Sequence, residues 1–351
     1  MNRVLSFKKA RSILFDTVVI MLITLSIGEI ALRVYDLYVP SFIFYSVSYD
    51  RFRGKPFANN WDFKLNSQGF KDKEFSEKKE NVYRILGIGD SFSFGVVPYK
   101  YNYLTLIESQ LNVGNTNVEV LNMGIPSIGP KDYLSLLMKE GLALHPDTVL
   151  LSFFVGNDFV QSKQRKLYEY SYTASLLHYI INLRPKYEGR VGERKTEYCD
   201  VCPSFSIKRY LKIEYDRSYI YLVNNKKFPE ELNHAIYYLK QIRNICKSHS
   251  INLIVVIIPD ELQINHDLLR EVKGAYYPNL DENKWDTGLP SRLLSNELDK
   301  LGISYINLYE DFSSSSDQLY KPRNTHWNIA GNKMAATIIY EHIRKYFTHK
   351  E

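Results

Sequence analysis

The feature that most constrains this chain is an alternation of short apolar runs with segments of helical period. The runs are Val82 to Ile88, Val118 to Met123, Thr148 to Val155, Leu253 to Ile258 and Ser304 to Leu308. Between and after them, apolar residues recur three and four apart, as in Leu232, Ala235, Ile236, Leu239 and Ile242, and in Ala335, Ile338, Ile339, His342, Ile343 and Tyr346. His342 on that stripe reads as a packed histidine and not as a ligand. Strand, helix, strand, helix is the signature of a parallel sheet, an α/β fold. With 351 residues, 45% hydrophobic and 24% charged, the chain can bury one large core or two smaller ones. Between Phe159 and Lys227 the pattern lapses into a long, tyrosine-rich polar stretch, which reads as an insertion of about residues 160–228 lying over a site.

The first forty residues speak to location. Arg3, Lys8, Lys9 and Arg11 precede an apolar segment from Ile13 to Leu32, which spans a bilayer if Asp16 and Glu29 lie at the two interfaces. The expected organisation is a cytoplasmic amino terminus (1–11), a transmembrane anchor or uncleaved signal (12–35), a juxtamembrane lead-in (36–80) and an exported domain (81–351). The uncharged centre, Thr17 to Gly28, with Ser26 and Gly28 at cleavage-like spacing, keeps a cleaved signal open, and a buried soluble helix is the third reading. The net charge of +6 is mild and its basic residues are dispersed among acidic ones, which argues against nucleic acid as a partner. The 28 tyrosines are compatible with saccharide-facing rings or with a compositional habit.

Four stretches at the ends of these runs carry polar groups. "ILGIGDSFSFG" turns abruptly from a strand to Gly-Asp-Ser, placing Ser91 at a sheet edge where open α/β folds put their chemistry. "IPSIG" (125–129) and "GND" (156–158) follow the next two runs, and "RNTHWNIAG" sets His326 just before the last helix with Asn328 as its cap. A serine hydroxyl attacks an acyl carbonyl only if a base takes its proton and donors await the oxyanion. Ser91 can attack and His326 can take the proton. The Ser91 N–H, an N–H of the 125–129 turn and the Asn157 amide can hold the oxyanion. The plainer reading makes Asn157 a turn former and His326 a packing residue.

This order of motifs resembles the SGNH (GDSL) hydrolase superfamily over roughly Asn81 to Phe347, and the helix ending in "GEIALR" resembles its membrane-anchored bacterial branch. The resemblance implies a flavodoxin-like three-layer α/β/α sandwich around a central parallel sheet, preceded by one transmembrane helix. It implies Ser91 as nucleophile, Asn157 as an oxyanion donor and His326 as base. Three positions depart from the family pattern. Ser127 stands at the spacing of the second-block glycine, with Gly124 and Gly129 nearby, so the oxyanion set is Ser91, Asn157 and Ser127 or Gly124. Val155 replaces a third-block glycine. Arg323 and Asn324 occupy the place of the usual aspartate, which leaves Asn324, a backbone carbonyl near Arg323, Asp311 or Asp317 as the third member of the triad.

Cys199 and Cys202 in "CDVCP" read first as a local disulfide, with free thiols the alternative and half a zinc site disfavoured for want of a second pair. Cys246 reads as a buried small hydrophobe. No metal or organic cofactor is implied. The expected activity is that of an esterase or deacylase on an acyl ester of an envelope lipid or saccharide. A saccharide O-acyltransferase served by a membrane acyl-donor protein would use the same groups. A non-catalytic envelope saccharide-binding protein is the third possibility. The expected location is the cytoplasmic (inner) membrane, single-pass, with the catalytic domain outside the cytoplasm.

Overall fold

A computed structural model describes residues 2–38, 49–113, 116–161, 167–181 and 197–346. Parts of the expected lead-in (39–48) and insertion (162–166 and 182–196), and the last five residues, lie outside this set. The chain divides into two compact units, one formed by residues 1–51 with 164–187 and the other by residues 52–163 with 188–351.

The larger unit is built on five parallel strands, β1 (Tyr83–Ile88), β2 (Val118–Asn122), β3 (Thr148–Phe154), β4 (Asn252–Ile258) and β5 (Ser304–Asn307), ordered β2-β1-β3-β4-β5. These coincide with the five apolar runs, and the order is that of flavodoxin. Every residue of β3 is buried, as a strand covered on both faces requires. Because side chains alternate across a strand, Ile85, Val118, Val120, Leu150, Val256 and Ile306 share one face. That face packs with Leu104, Ile107 and Leu111 of one helix (Tyr103–Leu111) and Ala335, Ile339 and Ile343 of another (Ile329–Ile343). On the opposite side, the helices Pro130–Lys139, Phe228–Ser248 and Leu289–Leu301 bury Leu136 and Leu137, Leu239 and Ile242, and Leu294 and Leu298. The result is a three-layer α/β/α arrangement, and Cys246 is buried in it.

Two expectations change. His342 is exposed, its Nδ1 2.9 Å from the Ile338 carbonyl, because Ala335, Ala336, Ile339 and Ile343 form the core-facing stripe and residue 342 lies about 100° round the helix from 343. The segment before the first strand, expected as a lead-in, is part of the larger unit from residue 52 onward. Lys71 is buried and donates to the carbonyls of Gly95 (2.9 Å) and Val97, while Asp72 accepts from the Asn122 N–H at 2.6 Å. Burial holds the Lys71 ammonium down at about 7.

In the smaller unit the first helix runs Asn2–Tyr38, and its stretch Arg11–Asp36 is long and apolar enough to cross a membrane. Glu29, an acidic residue in this apolar stretch, is fully engaged. It pairs with Arg33 at 2.7 Å and accepts from the Tyr172 and Thr173 N–H groups, both at 2.9 Å, at the start of the helix Tyr172–Ile181. Carboxylate charge at a helix amino terminus is favourable because those N–H groups have no partner within the helix.

Candidate active site

Strand β1 ends in a turn that Gly89 makes possible, since a Cβ there would lie 2.2 Å from Ser93 Oγ and 3.0 Å from Ser152 Cβ. Asp90 then caps the short helix Ser91–Phe94, its Oδ1 accepting from the Phe92 N–H at 2.8 Å. As the first helical residue, Ser91 has an N–H with no intrahelical acceptor.

His326 arrives from the far end of the chain. It sits in a turn closed by the Lys321 N–H on the His326 carbonyl (3.0 Å) and by the Asn324 N–H on the Lys321 carbonyl (3.1 Å), with Arg323 at φ +49°. Beyond it, Asn328 caps the last helix as expected, accepting from the Gly331 N–H at 2.8 Å. Trp327 is buried edge-on against Phe92 with centroids 4.9 Å apart, and Phe92 also lies 5.2 Å from the imidazole. An aromatic block therefore joins the serine helix to the histidine turn.

These elements bring His326 Nε2 to 2.7 Å from Ser91 Oγ, and His326 Nδ1 to 2.7 Å from Asn324 Oδ1. An amide oxygen only accepts, so Nδ1 carries the proton and Nε2 presents its lone pair to the serine hydroxyl. Burial, and secondarily the positive charges of Arg217 and Lys321, lower the imidazole pKa to about 3, which keeps the ring neutral and able to accept a proton. Asp311 and Asp317 have exposed side chains, and neither is hydrogen-bonded to His326.

Asn157 Nδ2 donates to Asp90 Oδ2 at 3.1 Å, and the same carboxylate oxygen lies 3.5 Å from Ser91 Oγ. An amide nitrogen has two N–H groups, so Asn157 can serve Asp90 and a further acceptor. Burial pushes Asp90 up to about 6. The neighbouring Asp158 is buried too, accepts from Tyr133 Oη (3.0 Å) and the Phe154 N–H (3.1 Å), and is raised well above the usual carboxyl range by burial and by the charge of Asp90.

Gly124 does not fill the donor role expected of it. Its N–H donates to Asn122 Oδ1 at 2.8 Å, and the residue serves instead as a point of close approach, where a Cβ would lie 2.1 Å from the Phe94 nitrogen. Ser127 is exposed with φ +64°, a left-handed backbone that favours glycine.

Several neighbours escaped the sequence reading. Asn324 Nδ2 donates to Ser204 Oγ at 2.6 Å, and Lys321 Nζ donates to the Cys199 carbonyl at 2.9 Å. Cys199 and Cys202 form the local disulfide. A cavity of about 240 Å³ borders Asn324, lined also by Trp61, Tyr198, Ser204 and Lys321.

No family model matches the chain, and no curated protein does. Solved structures that resemble it include an acetyl xylan esterase (AlAXEase) at TM-score 0.44 and 14% identity, covering 74% of this chain and 99% of that one. A lipase/acylhydrolase from Enterococcus faecalis gives TM-score 0.41 and 14% identity over 75% and 96% of the two chains. A single-site mutant of Axe2, an acetyl-xylooligosaccharide esterase from Geobacillus, gives 0.42 and 12% over 74% and 93%.

Proposed function

We propose that this chain is a serine esterase of the SGNH type that works through an acyl-enzyme on Ser91. One observation carries the reading, the continuous line from Ser91 Oγ to His326 Nε2 and from His326 Nδ1 to Asn324 Oδ1, both at 2.7 Å. His326 takes the Ser91 proton as Oγ bonds to the acyl carbon. The resulting oxyanion is met by the Ser91 N–H, the second N–H of Asn157 and the backbone of the Ser127 turn. Collapse breaks the ester C–O bond, and His326 returns the proton to the departing alcohol. Water, deprotonated by the same imidazole, then releases the acid and regenerates Ser91.

The substrate we assign is an acyl ester on an envelope lipid or saccharide. The cavity edged by Trp61, Tyr198 and Lys321 beside the triad supports a sugar, whose apolar ring face stacks on aromatic side chains while its hydroxyls meet polar ones. The assigned location is a membrane, with the first helix as anchor and the catalytic unit exported, which suits the Cys199–Cys202 disulfide. The test is hydrolysis of p-nitrophenyl acetate by the detergent-solubilised full chain, together with fluorophosphonate labelling. Ser91→Ala should abolish both; wild-type turnover in that variant would remove Ser91 from the mechanism.

A further inference from the structure

The first helix carries Glu29 within the apolar stretch Arg11–Asp36, where a charge is tolerated only if other groups meet it. Those groups come from Arg33 and from residues 171–173. Besides the Tyr172 and Thr173 N–H groups, Ser171 Oγ donates to Glu29 at 2.9 Å. Arg33 also donates to the Tyr170 carbonyl at 3.2 Å, and Tyr172 Oη donates to Asp36 at 3.1 Å. The helix Tyr172–Ile181 is therefore pinned by its amino end to one level of the first helix.

From that level it runs back along the apolar stretch. A Cβ at Gly28 would lie 3.9 Å from Thr173 Oγ1, and one turn further on Leu177 lines a cavity of about 670 Å³ together with Leu22, Leu25 and Ile30. At 1.5 Å per residue, Ile181 lies about 14 Å beyond Tyr172, nearly half of a hydrocarbon core of about 30 Å. The polar side chains of this segment recur three and four apart and are engaged. Ser175 Oγ donates to the Tyr168 carbonyl at 3.2 Å, and the His178 ring stacks on Tyr168 with centroids 4.1 Å apart. Leu177, Ile180 and Ile181 share another side and are 58%, 57% and 70% exposed. Leu22 and Leu25 are exposed on the neighbouring first helix, so the two apolar surfaces are continuous across the cavity they border.

We propose that the helix Tyr172–Ile181 is a second membrane-contacting element, seated by Glu29, whose Leu177, Ile180 and Ile181 enter the acyl chains of the leaflet in which Glu29 lies. This rests on the reading of the first helix as a membrane anchor and is independent of the esterase reading. The occupant is lipid because the exposed face continues a surface that only a bilayer would cover along its length. Ten residues are too few to cross, but an amphipathic helix needs to reach only one leaflet.

The experiment places single nitroxide labels on the full chain in nanodiscs of phosphatidylcholine and phosphatidylglycerol, in a Cys246→Ala background. Labels replace Leu177 or Ile181, with Leu22 as the lipid reference and the exposed Lys240 as the aqueous one. Relaxation by oxygen, which partitions into acyl chains, is compared with relaxation by a water-soluble nickel chelate. The oxygen-to-chelate ratio at Leu177 and Ile181 should match that at Leu22 and exceed that at Lys240 severalfold. A ratio like that of Lys240 would overturn the proposal, and so would shielding from both reagents, which would mean that protein covers this face. If Leu22 itself is open to the chelate, it is the membrane anchor that has failed.

Discussion

Asn324 Oδ1 stands 2.7 Å from His326 Nδ1, so the third place beside the histidine is held by a neutral amide. Such an acceptor orients the ring but adds no charge to stabilise the imidazolium, and an Asp-to-Asn exchange in a protease built for aspartate costs about 10⁴ in turnover. Asn324→Asp should therefore raise kcat on p-nitrophenyl acetate by about tenfold or more, given the scale of that exchange in reverse. Asp311→Ala and Asp317→Ala should leave it nearly unchanged, as both side chains are exposed and apart from the imidazole. A collapse of activity in either alanine variant, with folding intact, would give that carboxylate the role assigned to Asn324.

Asn157 is expected to contribute to rate more than to folding. Asn157→Ala should lower kcat on the order of 100-fold, the cost of removing one oxyanion donor. Thermal unfolding should move little, since the residue is only half-buried and its amide oxygen has no partner. An unchanged rate would place the oxyanion hole elsewhere.

Gly124 acts through space and not through its N–H. A methyl group at position 124 would meet the Phe94 nitrogen at 2.1 Å and the Ser93 carbonyl carbon at 2.4 Å, so the helix bearing Ser91 must shift. Gly124→Ala should lose about 1–3 kcal/mol of stability, as overpacking in a close-packed interior does, and activity with it. Wild-type turnover together with a wild-type melting temperature would show that the backbone there yields easily.

The pH profile follows from the environment of His326. Its pKa is lowered from 6.5 to about 3, by burial first and then by Arg217 and Lys321, so the neutral base persists into acid. The acid limb of kcat/KM attributable to the imidazole should lie well below pH 6.5, and Lys321→Met should move it upward. Asp90→Asn checks that the limb does not belong to the Asp90 carboxyl, which burial raises to about 6. For stability the sign is the same: the unfolded histidine binds a proton below about 6.5 and the folded one resists, so this group destabilises the fold progressively as pH falls from there toward 3. A limb at 6.5 that ignores Lys321→Met would remove this account.

Topology is open to a direct measurement. In the proposed topology the Arg3 to Arg11 basic cluster ahead of the apolar stretch keeps the amino terminus inside and the carboxyl-terminal part outside the cytoplasm. Alkaline phosphatase fused after Glu351 should be active, and activity from a cytoplasmic reporter alone at that position would reverse the assignment.

What the amino-acid sequence determined by itself was whatever depends on neighbours along the chain. Short apolar runs and period-3.6 patterns locate the five strands and the main helices, because how much of an element is apolar, and on which side, is a local property of its sequence. The strand ends carrying Ser91 and Asn157, and the cap that precedes the last helix next to His326, are local in the same sense. Tertiary structure alone decided the rest. Whether the charged stretch containing Lys71 and Asp72 is a tether or a buried support depends on carbonyls and N–H groups 24 to 50 residues away. Whether Gly124 donates an N–H or makes room for a helix depends on Asn122 and on how closely Phe94 approaches. The pairing of the Asn324 amide with Ser204, 120 residues earlier, is of the same kind, since a hydrogen bond needs two groups within about 3 Å and periodicity says nothing of groups brought together by the closing of the fold.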